Sequence, residues 1–185
     1  MKQYSVIYAD PPWHFSSKEL QKYSGERFTP LDKHYTTQSD SWIRCLPVKG
    51  VCTKNAALFL WATDAHIPIA IEVMTAWGFK YVTIAFVWEK LTSTGKTTKT
   101  LGAWTLKSYE MCLLGTRGGM LQYKASNTVL QQVRAERTCH SRKPEEVRNR
   151  IEQLFPNLPH IELFARQRTP GWDAWGNEVE SDIVL

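Results

Sequence analysis

Residues 4–13 read YSVIYADPPW, and the fold turns on how this run ends. Its first six residues, 4–9, are rich in Val, Ile and Tyr, side chains that suit a buried pleated surface, so they predict a strand. The strand stops at an aspartate, two prolines and a tryptophan. Each proline locks its own φ and restrains the residue before it. Neither proline has an N–H. The corner therefore presents the Asp10 carboxylate and backbone carbonyls as acceptors without competing donors. An exocyclic amine carries two hydrogens. Giving one to Asp10 and one to the Pro11 carbonyl turns its lone pair out of the ring plane, toward an electrophile. Trp13 offers a face to a planar base. A structural turn is the plainer reading of a lone DPPW, and the rest of the chain decides between the two.

Outward from this corner, strands and helices alternate. AALFLWAT at 56–63 is a continuous apolar run of the kind buried on both faces of a sheet. A helix follows, with Asp64 as its cap, Pro68 in its first turn and Gly78 as its stop. Ile67, Ile71 and Met74 share one face of that helix, with Ala70 and Trp77 beside them. Strands are predicted at 81–90, 109–116 and 160–165. A short helix at 39–46 takes Ser39 or Asp40 as its cap. Pro144 opens a further helix with Glu145 and Glu146 in its first turn and Val147, Ile151 and Leu154 on its inner stripe. The stretches 14–38 and 91–108 read as long loops, a form that is usually functional or mobile. Residues 120–136 leave room for one or two short strands. The pattern predicts one α/β domain over residues 1–185, with a mainly parallel sheet and helices on both faces. Ligands of such sheets bind beyond the carboxyl ends of the strands, and the DPPW corner is such an end.

The bulk composition is that of an ordinary globular chain of 185 residues, 43% hydrophobic and 22% charged. Its net charge of +5 is compatible with a nucleic-acid partner and equally with a solvated basic surface. Cys45, Cys52, Cys112 and Cys139 form no CxxC pair, so reduced, mostly buried thiols are expected and a metal site is not. The opening residues carry no apolar signal core, and no run approaches ~18 apolar residues. The expectation is a cytoplasmic protein without a membrane segment.

Seven landmarks occur in order: ADPPW, HYTT, LFLWAT, AWTLKSYEMCLLGTRG, RKPEEV, ELFAR and GWDAWGNE. With these residues in this order, the chain resembles the S-adenosylmethionine-dependent adenine N6-methyltransferases of the DPPW type. That branch includes the catalytic subunit of the eukaryotic messenger-RNA adenosine methyltransferase. The resemblance runs from Tyr8 to about Glu178. It implies a Rossmann-like methyltransferase in permuted order, with the catalytic motif ahead of the cofactor motifs. By position it implies a catalytic set of Asp10, Pro11, Pro12 and Trp13, with Asp10 and Pro11 also near the transferred methyl. Lys143 matches a lysine that contacts the cofactor carboxylate, where the start of the following helix also favours an anion. Phe164 and Arg166 match a stretch beside the cofactor. Asn177 and Glu178 match the pair that hydrogen-bonds ribose hydroxyls. No metal is implied.

The same resemblance places Tyr35 and Trp104 around the substrate, with Trp13. Glu110 matches an acidic position on the strand after Trp104, and a buried carboxylate paired with a Lys or Arg is an equal reading. Trp61, Trp77 and Trp88 sit in apolar elements and read as core. Lys96 and Lys99 belong to a basic stretch with Lys90, Lys107, Arg117 and Lys124, suited to tracking phosphates. In WTLKSYE, Leu106 and Lys107 replace polar residues common in the family, which bears on target choice. The partner implied is nucleic acid, DNA ahead of RNA because compact members of this branch are typically DNA enzymes. A base within a duplex has to leave the stack to reach such a corner. No separate target-recognition domain is expected, and pairing with a second copy or a partner subunit would supply what one domain lacks. Two alternatives stay open: the same reaction on RNA adenosine, and a catalytically inactive subunit that only binds nucleic acid. Retention of Asp10, Lys143 and Asn177 counts against the second.

Overall fold

The computed structural model describes residues 2–13, 38–102, 104–138 and 142–185. Among them, seven strands form one sheet in the order β5-β3-β4-β2-β1-β6-β7. In chain order these are β1 (Tyr4–Ala9), β2 (Cys52–Ala62), β3 (Lys80–Leu91), β4 (Tyr109–Arg117), β5 (Gln132–Glu136), β6 (His160–Leu163) and β7 (Asp173–Trp175). The α-helices are α1 (Asp40–Cys45), α2 (Ile67–Ala76) and α3 (Glu145–Leu154). β1 lies between β2 and β6 and is parallel to both. β4 runs antiparallel to its neighbours β2 and β3, while β3 pairs parallel with β5 and β6 with β7. This is the mainly parallel, helix-flanked Rossmann-like sheet that the sequence predicts.

β2 shows why the sheet is buried on both sides. Ala56, Leu58, Leu60 and Ala62 point into a core that includes Ile43 of α1 and Ala70, Val73 and Met74 of α2. Ala57, Phe59 and Trp61 point the other way, into a core that includes Val147 and Ile151 of α3. Strand residues alternate between faces, so one apolar run feeds two layers. Trp61, Trp77 and Trp88, read as core, bury their rings and still satisfy their N–H groups. Trp61 donates to the Tyr8 hydroxyl, Trp77 to the Ile43 carbonyl and Trp88 to the Ala135 carbonyl. A buried indole without such a partner would be costly.

Element ends depart from the sequence reading in four places. β2 starts at Cys52, ahead of the apolar run, because Cys52 pairs with Tyr4 before the register shifts and the ladder resumes at Val6 and Ala57. Asp64 does not cap α2. It lies in a short 3₁₀ turn, Asp64–His66, and the α-helix begins at Ile67. β6 ends at Leu163 because Phe164 adopts a left-handed φ of 61°. β7 is a short strand in the tail, where no periodicity marks it. The cap of α1 is Ser39, whose hydroxyl accepts from the Trp42 N–H at 3.2 Å. Residues 14–37 lie outside the described residues, and so do Tyr35, Cys139 and His140. No helix among the described residues is long and apolar enough to cross a membrane.

Candidate active site

One edge of the sheet collects every motif. β1, β2, β6 and β7 run parallel and deliver Asp10, Thr63, Phe164 and Gly176 just past their carboxyl ends. β4 runs against β2, so its first residues, Tyr109 and Glu110, come to the same edge. β3, antiparallel to β4, brings Lys90 there from its last turn of strand.

Two cavities open at this edge. The first, about 260 Å³, is lined by the whole DPPW corner with Trp61, Thr63, Lys90, Glu110 and Lys143. Thr100, Arg137 and Arg166 complete its rim. The second, about 440 Å³, is lined by Trp42, Phe164 and Trp175 together with Gln38, Asn177 and Glu178. Asp10, Pro12 and Arg166 belong to both. The stiff corner is therefore the partition between two chambers.

In the first cavity a line of alternating charges crosses the floor. Lys143 donates to Asp10 Oδ2 at 2.8 Å and lies 3.3 Å from Glu110 Oε2. Lys90 closes the line on Glu110 Oε1. The Lys143 ammonium also sits 5.4 Å from the Trp61 ring centre, within cation–π reach. Burial pushes the Asp10 carboxyl up, and Lys143 only partly offsets it, so Asp10 titrates above the ordinary range. Burial acts on Glu110 in the same direction, but Lys143 and Lys90 together pull it below its ordinary value. Burial opposes the charge on Lys143, and its two carboxylate partners raise it above the usual ammonium value. Asp10 is thus the member of the line closest to accepting a proton. Glu110 is a largely buried carboxylate paired with lysines, as one of its two readings expects, and it also lines the cavity.

The corner is braced from behind. The Trp13 N–H bonds the Pro11 carbonyl at 2.9 Å, a tight turn that uses one of that oxygen's two lone pairs. Oδ1 of Asp10 accepts from none of the described residues. Trp13 is only 5% exposed, its indole N–H bonds the Trp61 carbonyl, and its ring stacks on His66 at 5.6 Å. One of its faces is therefore committed to His66.

The second cavity is framed by aromatics. Phe164 holds its left-handed backbone, a conformation that costs roughly 1–2 kcal/mol for a residue with a Cβ. In return its ring meets Trp175 at 5.4 Å and Trp42 at 6.5 Å. Trp42 and Trp175 stack at 6.5 Å. Gly176 lets the end of β7 close on the end of β6: a Cβ there would lie 2.3 Å from the Ala165 carbonyl oxygen. Because that neighbour is backbone, Gly176→Ala has to open the cavity. A ligand seated in this cavity, followed by calorimetry, is expected to bind about tenfold more weakly in that variant, at a cost of about 1.4 kcal/mol. Unchanged affinity would show that the cavity tolerates the shift.

Phe164, Arg166, Asn177 and Glu178 meet in the second cavity, and the DPPW residues meet in the first. Lys143 stands with Asp10 on the first side and is not among the residues lining the second. Trp104 is 91% exposed and lines neither cavity, and the same holds for Lys96 and Lys99 on the exposed loop. Trp42 and Arg137 were missed by the sequence reading. Trp42 falls on a helix too short to show periodicity. Arg137 is one of many basic residues until the end of β5 places it. Among the described residues no cluster of His, Cys, Asp and Glu could hold a metal ion.

Comparison with known proteins agrees with this geometry. The MT-A70 family model matches residues 4–178. The chain is 33% identical to the Type II methyltransferase M.MunI of a Mycoplasma species, over 99% of this chain and 81% of that protein. It is 28% identical to the human N(6)-adenosine-methyltransferase catalytic subunit, over 99% of this chain and 29% of that protein. An MT-A70-like N(6)-adenosine-methyltransferase of Arabidopsis thaliana is also 28% identical, with 24% of its length covered. The chain thus spans most of the Mycoplasma protein but less than a third of these eukaryotic relatives.

Proposed function

The chain belongs to the MT-A70 family, and on that premise we propose that it transfers a methyl group from S-adenosylmethionine to the N6 amino group of adenine in DNA. The observation that carries this reading is the meeting of two cavities at Asp10 and Pro12. A direct two-substrate transfer without a covalent enzyme intermediate needs donor and acceptor chambers that meet at a shared boundary, where the amine can reach the methyl. Correspondence over 99% of this chain with a protein named a Type II methyltransferase supports DNA as the substrate. The matches to N(6)-adenosine-methyltransferases support RNA adenosine as the second reading. Catalysis and target recognition would share one domain, with a second copy or a partner subunit completing the target surface.

The second cavity suits S-adenosylmethionine chemically. It joins three aromatic rings for a flat, cationic ligand to an amide and a carboxylate for hydroxyls. Phe164, Trp42 and Trp175 would hold the cofactor's apolar parts, and Asn177 and Glu178 its ribose. When bound, the cofactor supplies an electrophilic methyl on a sulfonium, and its demethylated product leaves as S-adenosylhomocysteine. The protein's own part is to hold the amine. Asp10 Oδ1 accepts one amine hydrogen, and the remaining lone pair of the Pro11 carbonyl accepts the other. As nitrogen gains a carbon it must lose a proton, and Asp10, raised by burial, is placed to take it. Trp13 braces the corner from its seat on His66. Lys143 keeps Asp10 ionised between turnovers.

Asp10 works as a carboxylate, so the rate falls as pH drops through its raised pKa. The acid limb of the rate profile is therefore expected above the ordinary aspartate range. Lys143→Met removes the main influence holding that pKa down, and the limb is expected to move to higher pH. A limb that stays in place, with only cofactor affinity reduced, would instead give Lys143 the carboxylate-binding role that the resemblance implies. The reading as a whole is tested by nucleoside analysis of DNA and RNA methylated by the purified protein.

A further inference from the structure

The first cavity is more positive than a neutral base requires. Its lining carries Lys90, Arg137, Lys143 and Arg166 against Asp10 and Glu110. The lysines are matched within the line of alternating charges, and Arg166 lies 3.8 Å from Glu178. Arg137 differs from them. Among the described residues no carboxylate comes within ion-pair distance of its guanidinium. Its position is nonetheless fixed: its backbone N–H bonds the Leu91 carbonyl at 2.9 Å, which extends β5 beside the end of β3. Thr100 lines the same cavity and is pinned by two backbone hydrogen bonds to Lys107 at 2.7 and 2.8 Å.

An anchored, uncompensated guanidinium and a hydroxyl at the rim of a base-sized cavity call for an anion outside that cavity. Adenine itself offers none. The group attached to a base in a polynucleotide, at about this remove, is a backbone phosphate. We propose that Arg137, with Thr100, binds a phosphate of the target strand and so makes the site select a polynucleotide over a free nucleoside. This rests on the proposed nucleic-acid reaction and adds to it the residue that recognises the backbone. A guanidinium fork matches two phosphate oxygens, and a contact of this kind positions the strand without reading its sequence.

The test is binding of a fluorescent single-stranded DNA oligonucleotide at several salt concentrations, by wild type, Arg137→Gln and Arg137→Lys. Loss of one phosphate contact lowers the slope of log affinity against log salt by about 0.7 for a single strand. At an exposed rim the affinity loss at fixed salt is about fivefold. Arg137→Gln is expected to show both changes, and Arg137→Lys to keep the wild-type slope. An unchanged slope in Arg137→Gln overturns the inference, whether or not affinity falls, since a structural defect would not remove one counterion. Methyl transfer by wild type is measured on the same oligonucleotide and on adenosine. Transfer to the oligonucleotide with an unaltered slope in Arg137→Gln sinks the inference and leaves the proposed function standing. An altered slope without transfer to any nucleic acid does the reverse.

Discussion

Asp10→Ala is expected to lower kcat for methyl transfer on the order of 10³-fold, within the range spanned by positioned acid–base groups. S-adenosylmethionine binding should change far less. The reason is the position of Asp10 in the wall common to both cavities. In the proposed reaction it would provide, on the acceptor side, one of two acceptors for the amine and the proton's destination. On the donor side it is one lining group among many, beside three aromatic rings. Alanine keeps the backbone of the corner, which Pro11 and Pro12 stiffen regardless of the side chain. It also leaves Lys143 with Glu110 as its carboxylate partner. The fold should therefore survive, and circular dichroism of the variant should match wild type. Turnover within tenfold of wild type would remove Asp10 from the chemistry.

Arg148→Ala is expected to cost about 3–5 kcal/mol of folding stability, the range for breaking a buried ion pair from one side. Arg148 on α3 grips Glu162 on β6 through two parallel bonds, Nε to Oε2 at 2.8 Å and Nη2 to Oε1 at 2.9 Å. The side chains are only 6% and 10% exposed. The guanidinium also lies 5.5 Å from the Tyr8 ring centre, under β1. Removing it strands a carboxylate in the core beneath β1. Urea denaturation measures the loss, and replacing both partners, Arg148→Met with Glu162→Leu, should recover most of it. A loss below about 1 kcal/mol for the single variant would mean that the site opens to water.

These two residues mark what was and was not legible in the sequence. Asp10 stood out because proline, aspartate and tryptophan after an apolar strand have a chemical purpose in common. Arg148 did not, because a 3.6-residue stripe identifies Val147 and Ile151 as inward-facing and gives no sign that one of the two arginines between them is buried. Its partner, Glu162, lies fourteen residues on, in a strand, and pairing across elements leaves no local trace. The strand pattern predicted the parallel framework, since apolar runs bounded by turn residues are local signals. It did not predict that β4 reverses between β2 and β3, a reversal that brings Glu110 to Asp10. Lys143 shows the same limit: its motif implied a role toward the cofactor, and only the three-dimensional arrangement sets it against Asp10 and Glu110. Trp42 was silent in a helix of less than two turns. Its partners Phe164 and Trp175 come from the far end of the chain.

The central claim is that one corner holds an adenine amine against a methyl donor. The most direct measurement is to incubate the purified protein with labelled S-adenosylmethionine and unmethylated DNA or RNA, single- and double-stranded in parallel. Each product is digested to nucleosides and the labelled one identified by mass, with Asp10→Ala alongside. The account predicts label in N6-methyladenine from DNA, absent with Asp10→Ala. Label in a different nucleoside, or equal label with Asp10→Ala, would contradict it.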